Sequence, residues 1–82
     1  MKITTETGSV YDIDDHGICV KTDKDGRRID AFKPFIIIPV TEEVASLSDI
    51  VSLPHGDPVV GMRMYISGLD NWWLSTRVVS VE

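Results

Sequence analysis

Turn-forming residues recur so closely along this chain that they leave room only for short extended segments. Gly8-Ser9, Asp15-His16-Gly17, Asp23-Lys24-Asp25-Gly26, Pro54-His55-Gly56-Asp57-Pro58 and Gly68-Leu69-Asp70-Asn71 punctuate 82 residues. Each cluster carries the small or hydrogen-bonding side chains that tight turns require. Asp25-Gly26 between two strand-like runs is a strong hairpin signal, because glycine accepts the positive φ that such turns need.

The segments between the turns read as strands. Residues 2–7 are rich in Thr and Ile, a strand composition, and residues 9–14 set Tyr11 and Ile13 against Val10, Asp12 and Asp14, a period of two. A third strand is expected at 18–22 and its return at 27–32, with Ile29 and Ala31 as inner residues, before Lys33-Pro34 breaks the pattern. The β-branched run 35–38 suits a strand covered on both faces, and Pro39 puts its end near an edge. Within 41–53, Thr41 is a potential N-cap, Glu42 and Glu43 favour a first helical turn, and Val44, Leu47, Ile50 and Val51 follow helical spacing. One short helix is therefore expected around 42–51. Residues 59–67 alternate again, with Met62, Met64 and Ile66 opposite Arg63 and Tyr65, and 72–81 close the chain with Val79 and Val81 on one face. The sum is a mainly β single domain spanning residues 1–82, a small barrel or compact sandwich of about six or seven short antiparallel strands.

Composition narrows the function classes. The apolar fraction of 43% supports one core, and 82 residues are too few to close a second. Net charge is −5, and the basic doublet Arg27-Arg28 is flanked by Asp25 and Asp30. That balance opposes direct nucleic-acid binding, which calls for a basic stripe, and reads instead as solubility. The single cysteine, Cys19, lies between Ile18 and Val20 and cannot form an internal disulfide. A buried thiol and a reducing cytoplasm are expected. The polar opening Met1–Glu6 lacks the apolar region of a signal peptide. The run 35–40 is far too short to span a membrane.

No residue pattern calls for a catalytic group, a metal or a cofactor. Asp12, Asp14, Gly17 and Asp23 match part of a calcium-loop spacing, but His16 stands where an oxygen ligand belongs and Asp23 replaces the bidentate glutamate. The flanks also read as strands rather than helices. At the next acidic turn, Lys21 and Phe32 would occupy the first and last ligand positions. His16 and His55 lie in turns with no assignable nucleophile or orienting carboxylate, so they read as solvated.

The doubled tryptophan is the most informative pair. Neighbouring side chains on a strand point to opposite faces, so Trp72 and Trp73 cannot both enter one core. One indole should stay partly exposed unless the segment 41–58 covers it. Tyr65, across the turn at 68–71, is the expected cross-strand neighbour. Trp beside Tyr is a composition typical of protein-interface hot spots, which makes Trp72, Trp73 and Tyr65 the candidate interface residues.

The two ends of the chain carry a likeness. Thr5-Glu6-Thr7-Gly8-Ser9-Val10-Tyr11-Asp12-Ile13-Asp14 resembles the T-x-x-G-S-x-Y-x-I-D opening of small uncharacterised proteins of actinobacterial phages and their hosts. Ser75-Thr76-Arg77-Val78-Val79-Ser80-Val81-Glu82 is similar to their T-S-x-V-x-x-I/V-E ending. The resemblance implies a phage or prophage origin and the host cytoplasm, and brings no activity with it. It also suggests that the first and last strands pair. The expected function is that of a non-enzymatic phage accessory protein binding a host or phage protein. The alternatives are a self-associating virion or assembly component and an acidic DNA-mimicking inhibitor.

Overall fold

The computed structural model describes residues 1–29, 31–34, 36–41 and 46–82. In chain order it contains β1 (Lys2–Thr5), β2 (Val10–Ile13), β3 (Cys19–Thr22), β4 (Ile36–Val40), α1 (Leu47–Val51), β5 (Arg63–Ser67), β6 (Trp72–Leu74) and β7 (Val78–Val81). The strands form a four-stranded sheet ordered β3-β2-β1-β7 and a three-stranded sheet ordered β4-β5-β6. Every strand pairing is antiparallel. The two sheets are not closed into one, an arrangement that fits the compact sandwich.

One turn device is used twice in the first half. Asp14 Oδ1 accepts hydrogen bonds from the backbone of His16 (2.8 Å) and Ile18 (3.0 Å). Asp23 Oδ1 accepts from Asp25 (3.0 Å) and Arg27 (2.8 Å) in the same way. Gly17 and Gly26 complete these turns at φ of 78° and 81°, a region that a β-carbon would strain. The two aspartates therefore organise the chain reversals on either side of β3 with their own carboxylates.

Ile3, Thr5, Tyr11, Ile13, Cys19 and Val78 point inward from the larger sheet and are buried. They meet Met64 and Ile66 of the smaller sheet, with Ile37, Phe32 and Trp73 packed around them. The expected pairing of first and last strands is present, with Ile3 opposite Val81 and Thr4 opposite Ser80. The register then skips a residue, so that Thr5 faces Val78 and Val79 is the extra residue of a bulge. The bulge interrupts the strict alternation that would set Val79 and Val81 on one face. Val78 takes the core position, and Val79 is half exposed.

A second cluster lies on the other side of the smaller sheet. Ile38, Val40 and Tyr65 pack with Ile50 of α1, flanked by Ile36, Leu53 and Leu74. Strand β5 is thus buried on both faces: Met64 and Ile66 look into the sandwich, and Tyr65 looks toward the helix. Pro39 lies opposite Met64 on β4, an edge strand where a missing N–H is tolerated. Gly56 donates to Ile37 O at 3.0 Å and runs along that edge.

Four expectations need correction. Helix α1, Leu47–Val51, lies within the span expected around 42–51, but its cap is Ser46 and not Thr41; the Ser46 hydroxyl accepts from the Asp49 amide (3.3 Å) and donates to the Asp49 carboxylate (2.8 Å). The hydroxyl thus satisfies one amide of the helix start and is itself held by the Asp49 carboxylate. Glu42, Glu43 and Val44 lie outside the described residues, as do Asp30 and Phe35. The return strand at 27–32 is reduced to two isolated bridges, Thr22 with Arg28 and Cys19 with Phe32, and Ala31 is exposed rather than inner. The strand expected from residue 59 begins at Arg63, with Val59 and Val60 exposed. Residues 72–81 are two strands in different sheets. The chain changes sheet at Ser75, whose hydroxyl accepts from Met64 N (2.9 Å) and donates to Thr76 O (2.6 Å). A side chain that satisfies backbone groups at a corner lets the strand end without leaving buried polar atoms unpaired.

Candidate functional site

The β5–β6 hairpin positions the aromatic residues. Its register sets Ser67 against Trp72, Ile66 against Trp73 and Tyr65 against Leu74. Because alternate residues share a face, Trp73 joins Ile66 inside the sandwich, and Trp72 joins Tyr65 on the helix side. The adjacent indoles thus diverge. Trp73 is half-buried and its ring lies 4.8 Å from that of Phe32, at 42°. Trp72 is 54% exposed, and its ring leans on Tyr65 at 6.0 Å and 34°.

Tyr65 is itself 6% exposed. It clusters with Ile38, Val40 and Ile50, with Leu53 packed against them, so it backs the Trp72 ring and exposes little surface of its own. Three residues before Trp72, the hairpin tip presents Leu69, which is 83% exposed. Leu69 escaped the sequence reading because it lies in a turn, where the eye follows Gly and Asp; a leucine at a turn tip is the signal that marks it. A Trp and a Leu held out on one short hairpin form an apolar projection with low ordering cost on contact.

The sandwich rim at the Trp73 end holds a cation. Lys21 lies opposite Tyr11 in the β2–β3 register and so turns inward. Its Nζ stands 5.8 Å from the Tyr11 ring centre and 5.9 Å from that of Trp73, within reach of the negative faces of both rings. An inward-turned lysine near a sheet edge also discourages a further strand from adding there.

Two buried side chains have raised pKa values. Burial pushes the Cys19 thiol up to about 11, helped by the Asp12 carboxylate, so it stays protonated at neutral pH. Burial likewise raises the Tyr11 hydroxyl to about 12, with the nearby Cys19 adding to it. His16 and His55 are both exposed. Among the described residues, no three His, Cys, Asp or Glu side chains are grouped to hold a metal ion. No described helix is long and apolar enough to cross a membrane.

Comparison with protein-family models, curated proteins and solved structures finds no match. The functional reading therefore rests on the geometry of the chain itself.

Proposed function

We propose that this chain is a non-enzymatic accessory protein, of phage or prophage origin, that binds a protein partner through the surface around Trp72. The single observation that carries the reading is an indole 54% exposed on the β5–β6 hairpin, whose tip also presents Leu69 at 83%. Large aromatic side chains held in place before contact dominate the energy of protein interfaces. The terminal likeness to small actinobacterial phage proteins supports the origin, and with it a partner in the host or in the phage.

The experiment compares the wild-type chain with Trp72→Ala and with Leu69→Ser as baits in a lysate of an actinobacterial host. The expected result is a protein retained by the wild type and lost by both variants, each of which keeps the native circular-dichroism spectrum. Identical retention by all three baits would refute the proposal.

Self-association is the second reading, favoured by a different feature. Strand β7 is the last in its sheet, and Val79 and Val81 on it are 49% and 38% exposed. Light scattering separates the two readings. A monomer at high concentration excludes self-association, whereas a defined oligomer that dissociates on Val81→Lys supports it, because lysine on an edge strand opposes strand addition.

A further inference from the structure

On the side of the molecule away from Trp72, the outer face of the four-stranded sheet contains a groove of about 410 Å³. Ligand sites begin at about this size. Its floor consists of two cross-strand pairs of the β2–β3 hairpin, Asp12 opposite Val20 and Val10 opposite Thr22. Val10 and Val20 are half-buried and form an apolar strip.

The two ends of the strip carry opposite charges. Asp12 of β2 and Asp14, which follows the end of that strand and opens the next turn, both line the groove. Arg28 lies at the other end, bridged to Thr22 along the free side of β3. No ion pair joins these ends among the described residues. Hydrogen bonds from Ile18 and His16 hold the Asp14 carboxyl below the usual carboxylate range, so it is an anion at neutral pH.

We propose that this groove binds a linear zwitterion, with an ammonium between Asp12 and Asp14, a carboxylate on Arg28 and an apolar chain of lysine length lying over Val20. Two like charges two residues apart repel each other, and a cation between them turns that repulsion into attraction. The planar fork of Arg28 matches a carboxylate in two parallel hydrogen bonds. The ammonium position between Asp12 and Asp14 lies about three residues, roughly 10 Å along the strands, from the row of Val10, Thr22 and Arg28, and the long Arg28 side chain lining the groove shortens that gap. A lysine-length methylene chain covers a span of that order, and its stem gains from apolar contact as buried lysine stems do. A ligand with only one of the two charges leaves the opposite pole of the groove unmatched. A zwitterion satisfies both.

The probe is ε-aminocaproate, followed by amide chemical shifts, with n-hexylamine and hexanoate as single-charge controls. Saturable shifts at Asp12, Val20, Thr22 and Arg28 are expected, with the zwitterion bound more tightly than either control. Asp12 and Arg28 are exposed, so their substitution leaves the fold intact. Arg28→Gln should weaken ε-aminocaproate about tenfold and leave n-hexylamine unchanged, while Asp12→Asn should weaken both about tenfold, the loss of one charge-assisted contact each. The proposal is overturned if these amides do not shift, if the controls bind as well as the zwitterion, or if neither variant changes the affinity. A peptide ending in lysine, as free acid and as amide, identifies the source. Binding of the acid alone assigns the site to the C-terminal lysine of a polypeptide. Binding of ε-aminocaproate without the peptide assigns it to a small free zwitterion.

Discussion

Trp72 and Trp73 are consecutive residues of β6, yet Trp72 leans on Tyr65 at 6.0 Å outside the sandwich while Trp73 packs on Phe32 at 4.8 Å inside it. The pleat of one strand thus gives the two indoles different duties. Trp73→Ala removes ring contacts from the main core and should cost roughly 2–3 kcal/mol, less than the value of about 3–5 for a fully buried aromatic ring. Trp72→Ala removes a ring that is already half in water and should cost less than about 1 kcal/mol. Urea unfolding of the two variants measures the difference. Equal losses would contradict this division.

Gly68 should not tolerate a methyl group. A β-carbon there would lie 3.0 Å from Phe32 Cδ2 and 3.2 Å from the Lys33 carbonyl oxygen. The carbonyl is backbone and cannot swing away, so Phe32 or the hairpin must move. Gly68→Ala is expected to cost about 1–3 kcal/mol, the range for overpacking. It should also weaken the near-ultraviolet dichroism that Trp73 gains from its contact with Phe32. An unchanged spectrum and stability would show that the loop at 32–33 yields.

Acid should destabilise the fold through its two turn aspartates. Asp14 is held below the usual carboxylate value by hydrogen bonds from Ile18 and His16, and Asp23 by those from Arg27 and Asp25. A group whose folded pKa is below its unfolded one stabilises fully above the unfolded value, and that stabilisation is lost as pH falls through the folded one. The urea midpoint should therefore drop as pH falls through and then below the ordinary carboxylate range of about 4. The double variant Asp14→Asn, Asp23→Asn keeps an acceptor oxygen at each turn but cannot titrate, so its midpoint should fall less steeply over the same interval. Parallel curves for the two proteins would rule these carboxylates out as the acid sensors.

Cys19 should be inert in the folded protein. Its side chain is fully buried and its thiol is raised to about 11, so both access and thiolate are lacking. Ellman's reagent at about pH 8 is expected to leave the native chain unmodified and to label it stoichiometrically in urea. Rapid labelling of the native chain would mean that the β3 edge opens easily.

Local chemistry was legible in the sequence. Asp14 with Gly17 and Asp23 with Gly26 form their turns from their own side chains and φ angles, and neither needs a distant partner. The alternation of Tyr11 and Ile13 against Asp12 follows from the pleat, as does the divergence of Trp72 from Trp73. What stayed hidden depends on residues far away in the chain. Residues 27–32 have strand composition, but among the described residues they meet β3 through the bridges Thr22–Arg28 and Cys19–Phe32 and the bond from Ile29 N to Lys21 O, without a continuous ladder. Residues 72–81 read as one strand, and it is the bond from Met64 N to the Ser75 hydroxyl that divides them between two sheets. Tyr65 alternates as a solvent-facing residue would, but it is buried in the cluster with Ile50, against which Leu53 packs. Strand periodicity determines which residues share a face; only tertiary packing decides what that face meets, because burial is set by the neighbour that arrives and not by the residue that waits.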